Sequence, residues 1–147
     1  MVDEPKYTVM KKIKYFTLSE LLHSSTANRL HIDNIPSFEV VDNLNRLAYY
    51  LDGIRTKYGK PLTITSGFRS IQLNKVVGGV TNSQHTKGLA ADIVCDDMNK
   101  LFSIIQETGD FDQLIMEHRT GSSSQWVHVS IAPTRSTPRK QVFSIQK

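Results

Sequence analysis

Apolar residues recur at steps of three and four between Val40 and Ile54, and this spacing predicts one long amphipathic helix. The stripe consists of Val40, Val41, Leu44, Leu47, Ala48, Leu51 and Ile54. Ser37 precedes the stripe and Gly59 follows it, and these residue types are typical of a helix start and a helix end. We therefore expect this helix to begin after Ser37 and to end at Gly59.

Shorter helices are predicted by local capping signals. Thr17 and Glu20 fit a capping box, and Phe16 and Leu21 fit the hydrophobic staple across it, so a short helix is expected to end near residues 24–25. Two further helices are expected over residues 69–76 and 98–108.

Runs rich in apolar and β-branched residues predict the strands, which are expected over residues 61–65, 89–94, 111–117, 126–131 and 142–145. Segments 111–117 and 126–131 flank a loop with Gly121 and three serines, which is typical of a hairpin. Helices mixed with a mainly antiparallel sheet indicate an α+β fold. We expect residues 1–14 to be a lead-in segment and residues 15–147 to form a single domain.

Composition narrows the possible functions. The 147-residue chain is 39% hydrophobic and 22% charged, with a net charge of +4 and one cysteine. No apolar run approaches the roughly 20 residues of a membrane span, so no membrane insertion is expected. Scattered basic residues without stacking aromatics predict no nucleic-acid binding. We expect a monomer, and the N-terminal residues do not resemble a secretory signal.

A candidate metal site stands out at His85, Asp92 and His128. Asp92 lies within an otherwise apolar strand, where an ionised carboxylate is costly unless a cation or strong donors compensate it. Two imidazoles and one carboxylate, with a fourth position left open, are typical of catalytic zinc. The sequence therefore predicts a zinc site formed by these three side chains.

Strand alternation places other side chains near that site. In the strand 126–131, Trp126 and His128 share the face opposite the aliphatic residues, so both should point into a cleft. If the hairpin pairs symmetrically about its loop, Glu117 lies nearly opposite Trp126. Asp112 has the opposite parity to Glu117 and is expected to be structural.

Two motifs carry a family resemblance: Ser83-x-His85-x-x-Gly88-x-Ala90-x-Asp92, with the later Trp126-x-His128, and the upstream segment Ser66-Gly67-Phe68-Arg69-Ser70. Together they resemble the zinc D-Ala-D-Ala carboxypeptidases and related peptidoglycan peptidases of the M15 group. The resemblance covers roughly residues 15–131. It implies a hedgehog/DD-peptidase-like fold and hydrolysis of peptidoglycan stem peptides, by a carboxypeptidase or an endopeptidase, with metal-activated water as nucleophile.

The resemblance also implies roles for individual residues. Arg69 is expected to hold a substrate carboxylate or stabilise the oxyanion, and Trp126 to contact substrate. Ser83 is expected either to donate to the substrate or only to cap the turn. Several members carry an acidic base three positions before the last histidine, where this chain has Gln125. Glu117 is therefore the expected general base, with His118 a weaker substitute.

Two alternatives remain open at this point. Cys95 near a helix start could be the nucleophile of a cysteine-dependent cell-wall peptidase. If Gln125 marks a lost base, the chain could instead be a zinc-holding module that binds peptidoglycan without cutting it. In each case the expected partner is the bacterial cell wall, reached after export or lysis.

Overall fold

A computed structural model describes residues 12–147 and shows an α+β fold of five α-helices and five strands in this part of the chain. The helices are α1 (Leu18–Leu22), α2 (Ser25–Leu30), α3 (Phe38–Tyr58), α4 (Ile71–Val76) and α5 (Met98–Thr108). The strands are β1 (Thr63–Ser66), β2 (Ala90–Val94), β3 (Gln113–His118), β4 (Gln125–Ser130) and β5 (Gln141–Gln146). The predicted elements are confirmed with small shifts at their ends, whereas α2 was not predicted.

The helices begin where short polar side chains satisfy free backbone N–H groups. Each cap accepts a hydrogen bond from the N–H three residues ahead, and the caps are Thr17, Ser24, Ser37, Ser70 and Asp97. The long helix α3 ends at Gly59, whose φ of 86° is a left-handed conformation that glycine adopts without steric cost. These signals explain why the sequence located α3 correctly.

The five strands form one sheet in the order β1-β2-β4-β3-β5. Neighbouring strands are antiparallel except β3 and β5, which run parallel. The predicted hairpin of β3 and β4 is confirmed, with Glu117 paired to Trp126. The expected edge strand is confirmed as β5, and it extends the sheet beyond β3.

The hydrophobic core lies between one face of the sheet and the helices α3 and α5. Val127 and Val129 are fully buried on that face, and Leu44 and Leu51 of α3 are fully buried against it. Strand alternation therefore sends the intervening residues of β4, including His128, to the opposite face. That second face carries the polar residues described below.

The predicted lead-in segment 1–14 lies mostly outside the described residues. Ile13 packs against the core, and the backbone N–H groups of Lys14 and Tyr15 both donate to the Asp52 carboxylate on α3. Of the helices in residues 12–147, none combines the length and apolar character needed to cross a bilayer.

Candidate metal centre

The three predicted metal ligands come together on the polar face of the sheet. Asp92 lies in β2 directly opposite His128 of β4, because these residues are partners in the antiparallel register. His85 lies on a short 3₁₀ helix, Gln84–Lys87, where the sequence predicted a loop. His85 Nε2 lies 3.2 Å and His128 Nδ1 3.1 Å from Asp92 Oδ1. All three side chains are buried.

The protein fixes the orientation of His85 through a backbone carbonyl. His85 Nδ1 lies 2.8 Å from the Gly67 carbonyl oxygen, so this nitrogen must carry the hydrogen and donate it. In a neutral imidazole, Nε2 then presents a lone pair to the Asp92 carboxylate. Two acceptors facing each other at 3.2 Å require a cation or an added proton between them. A backbone partner on the second nitrogen is also the usual support of a metal-binding histidine.

The donor set fits a divalent metal such as zinc. Bonds of about 2.0–2.2 Å in a tetrahedral site place neighbouring ligand atoms roughly 3.3 Å apart, close to the two distances from Asp92. The three ligand atoms all lie within 4.8 Å of one another. Among the buried side-chain atoms of the described residues, His128 Nε2 is the one without a hydrogen-bond partner. This nitrogen gives the His128 ring a second atom with which it can bind a metal ion or a cleft ligand.

The electrostatics keep Asp92 in the ionised form that a metal needs. Burial alone would raise the pKa of Asp92, but its electrostatic interactions and hydrogen bonds with His85 and His128 outweigh burial and lower that pKa well below its ordinary value. Arg69 adds a further positive charge, with its terminal nitrogen 3.5 Å from Asp92 Oδ2. An acceptor that stays charged is suited to binding a cation.

Arg69 is held in place by neighbouring polar groups and is only partly buried. Its Nε donates to Ser66 Oγ at 3.1 Å, and a terminal nitrogen donates to Asn74 Oδ1 at 3.2 Å. Burial lowers the pKa of Arg69, while the charges of Asp92 and Glu117 oppose that shift. Gly79 makes room for this contact, since a Cβ there would lie 2.0 Å from Asn74 Oδ1.

Glu117 is buried on β3, the strand next to the one that carries His128. It pairs across the hairpin with Trp126, and His128 lies two residues further along the same strand face. Glu117 and His128 are thus diagonal neighbours, with Cα atoms about 7–8 Å apart. The indole N–H of Trp126 donates to Glu117 Oε1, and Lys147 Nζ lies 3.1 Å from Oε2. Both carboxylate oxygens are therefore oriented by partners.

A cavity of about 580 Å³ opens onto this face of the sheet. Its lining includes the side chains of Arg69, Ser83, His85, Glu117 and His128. An adjoining cavity of about 620 Å³ reaches Asp92 and carries Gln125 and Trp126 on its wall. Each predicted site residue therefore lines one of these two cavities, which share Arg69 and Glu117.

Ser83 and Asp112 have structural partners. Ser83 Oγ accepts a hydrogen bond from the backbone N–H of His85 at 3.2 Å and so caps the 3₁₀ helix. Asp112 accepts from Gln84 and from the guanidinium of Arg139, whose hydrogen bonds lower the pKa of Asp112. Asp112 thus joins the His85 segment to the chain that leads into β5, in agreement with its predicted structural role.

Cys95 lies on the other side of the sheet from the histidines. It follows β2 with the parity of Ile93, opposite to that of Asp92, and packs against the hydrophobic core. Its thiol contacts the hydroxyl group of Tyr58 on α3. Neither His85 nor His128 is therefore placed to activate this thiol.

The sequence did not indicate three supporting residues. Gly67 belongs to the segment that was quoted for its arginine, but its carbonyl orients His85. Asn74, predicted only as a helical residue, orients Arg69. Lys147 reaches Glu117 from the end of β5, with the same strand parity as Phe143 and Ile145. The sequence showed that parity, but it did not show that β5 pairs with β3.

Comparison with known proteins agrees with this site. A family model described as Peptidase M15 matches residues 14–130. The zinc D-Ala-D-Ala carboxypeptidase of Streptomyces albus G is 53% identical to this chain over 34 residues. That alignment covers 23% of this chain and 13% of the relative.

Proposed function

This chain belongs to the Peptidase M15 family, and from that membership we propose that it is a zinc-dependent peptidase that hydrolyses stem peptides of bacterial peptidoglycan. The observation that carries the proposal is the buried cluster of His85, Asp92 and His128 at the cleft. The short match to a zinc D-Ala-D-Ala carboxypeptidase supports both the metal and the substrate class. Because this match spans 34 residues, the proposal includes both a carboxypeptidase, the activity named for that relative, and an endopeptidase.

The proposal extends to the architecture. We infer that residues 15–147 form a single, monomeric domain with a hedgehog/DD-peptidase-like fold. The mostly antiparallel five-stranded sheet, with α3 and α5 packed on its core face, supports this inference.

His85, Asp92 and His128 would hold the zinc ion, and Gly67 would keep His85 in the correct tautomer. When bound, zinc lowers the pKa of a coordinated water molecule and polarises a carbonyl group. Asp92 contributes the negative charge of the ligand set, and its lowered pKa favours the ionised carboxylate that zinc requires.

Glu117 would act as general acid and base. A carboxylate near the attacking water takes up a proton and delivers it to the leaving amine. Glu117 lines the cleft as the diagonal cross-strand neighbour of His128, which supports a role for its carboxylate beside the metal-bound water. Gln125, three positions before His128, has no titratable group and cannot serve this purpose.

Arg69 and its neighbours would bind the substrate. The guanidinium offers a rigid fork of donors that suits a peptide carboxylate or a developing oxyanion. Its anchoring by Ser66 and Asn74 pre-orients that fork. The hydroxyl hydrogen of Ser83 remains available to a peptide carbonyl, and Trp126 offers an apolar wall.

A second candidate is a zinc-holding module that binds wall peptides without cutting them. The engagement of both Glu117 oxygens by Trp126 and Lys147 favours this candidate, because a base must accept a proton. A cysteine-dependent mechanism is disfavoured, since Cys95 lies on the core face of the sheet.

Hydrolysis of a defined stem peptide tests the proposal. The zinc-loaded protein should release a product from L-Ala-γ-D-Glu-L-Lys-D-Ala-D-Ala or from cross-linked muropeptides, detected by mass spectrometry. Chelation should abolish that release, and added zinc should restore it. Peptide binding without any cleavage would instead support the binding module.

A further inference from the structure

The cleft continues past the metal centre along one cross-strand row of side chains. Asp92 pairs with His128, His128 pairs with Ile115, and Ile115 pairs with Phe143. Paired residues share one face of a sheet, so these four side chains stand in a line on the cleft face. The row therefore leads from the metal ligands to the edge strand β5.

The far end of this row is apolar and accessible. Phe143 and Ile145 keep 39% and 40% of their surfaces exposed, although both line the 580 Å³ cavity. Ile115, the cross-strand partner of Phe143 on β3, is 7% exposed. Large apolar side chains that stay open inside a cleft are suited to binding an apolar part of a ligand.

The surrounding charges indicate what kind of ligand fits. Three cations line the cavity, and each forms an ion pair with one carboxylate: Arg69 with Asp92, Arg139 with Asp112, and Lys147 with Glu117. The Arg139 and Lys147 side chains remain 53% and 55% exposed and have N–H donors beyond these ion pairs, so they can also bind carboxylate groups of a peptide that carries them between aliphatic segments. β5 also lies beyond residues 14–130, so this wall is additional to the part of the chain that matches the family.

We propose that Ile115, Phe143 and Ile145 form a specificity subsite for the aliphatic part of an acidic substrate peptide, on the side of the scissile bond away from Arg69. The inference rests on the proposed function. Neighbouring strands are about 4.8 Å apart, so Phe143 lies roughly 10 Å from His128, the reach of about three extended residues. The protein should thus require about three residues on that side of the cut.

Peptides of graded length test this subsite. Once the cleaved bond of the pentapeptide is known, kcat/KM is measured for substrates shortened one residue at a time from the amino end. For the wild type, kcat/KM should fall about tenfold when the residue that reaches Phe143 is removed. Phe143→Ala should show a similar loss on the full-length peptide and no further loss on shortening.

Matched variants separate recognition from folding. Val142 lies on the opposite face of β5 and is 38% exposed, so Val142→Ala should keep the wild-type dependence on peptide length. Ile145→Ala provides a second subsite variant should Phe143→Ala be unstable in thermal unfolding.

Three outcomes are distinguishable. A wild type that cuts short and long peptides equally well would overturn the subsite, as would subsite variants that keep the full advantage of longer peptides. Either result would leave the peptidase proposal intact. A protein that cuts no wall peptide of any length would contradict the proposed function, and the subsite would fall with it.

Discussion

Gly67→Ala should damage both the fold and the metal centre, because the Gly67 backbone is held between α1 and His85. A Cβ at this position would lie 2.3 Å from the Leu21 carbonyl oxygen, where ordinary contacts begin at 3.4 Å. The segment would have to move by about 1 Å, since the obstacle is backbone. The hydrogen bonds from Phe68 N–H to Leu21 and from His85 Nδ1 to Gly67, both 2.8 Å long, would then be broken or strained.

The expected magnitude follows from these contacts. Overpacking costs about 1–3 kcal/mol, and each hydrogen bond contributes about 0.5–1.5 kcal/mol. We expect a loss of about 3 kcal/mol of unfolding free energy. At about 2–4 °C per kcal/mol, that loss lowers Tm by about 6–12 °C. Misorientation of His85 should weaken zinc binding by about 10- to 100-fold.

Calorimetry and zinc titration against a competing chelator measure the two effects. Gly53→Ala is the matched control, because Gly53 lies exposed within α3 and a Cβ there meets nothing within 4 Å. That control should be stabilised by about 0.5–1 kcal/mol and should bind zinc normally. A Gly67→Ala protein with wild-type stability and wild-type zinc affinity would refute the reasoning.

Three further predictions concern single side chains. Glu117→Gln should lower peptidase turnover by about 10²–10⁴-fold while zinc stays bound; near-normal turnover would show that Glu117 is not the base. Cys95→Ala should stay active and chelator-sensitive, whereas a folded but dead variant that ignores chelators would favour the thiol mechanism. The pKa of Asp112 is lowered in the folded protein by its pairing with Arg139. This pairing therefore stabilises the fold at pH values above the ordinary aspartate pKa of about 3.9, and the stabilisation is lost as the pH falls below that value. Asp112→Asn should therefore be less stable than the wild type near pH 6, and its stability should fall less than that of the wild type towards pH 3, as measured by unfolding followed by circular dichroism. A fall towards pH 3 equal to that of the wild type would argue against this role.

Capping residues, apolar stripes and terminal glycines predicted the helices that carry such signals in their own sequence. The helix α3 carries its own cap at Ser37, its apolar stripe and its glycine end, so its limits were predicted to within a residue. In contrast, α2 contains Ser25-Thr26-Ala27-Asn28-Arg29-Leu30, a segment without an apolar stripe. Its cap, Ser24, was not distinguishable from ordinary loop serines in the sequence.

The cluster of His85, Asp92 and His128 was predictable because its chemistry is unusual in the sequence. A carboxylate inside an apolar strand requires compensation, and that requirement distinguishes Asp92 from the other acidic residues of the sequence. The supporting contacts depend on tertiary packing instead. The Gly67 carbonyl reaches His85 across 18 positions, and Lys147 reaches Glu117 only because β5 pairs in parallel with β3. Such register is not encoded in either strand alone.

Zinc content is the measurement that tests the central claim most directly. Purified wild-type protein should bind one zinc ion per chain, measured by elemental analysis after equilibration with a weak chelator. His85→Ala, Asp92→Ala and His128→Ala should each lose most of that zinc, while His23→Ala, which alters an exposed histidine, should keep it. Wild-type zinc content in all three ligand variants would contradict the account.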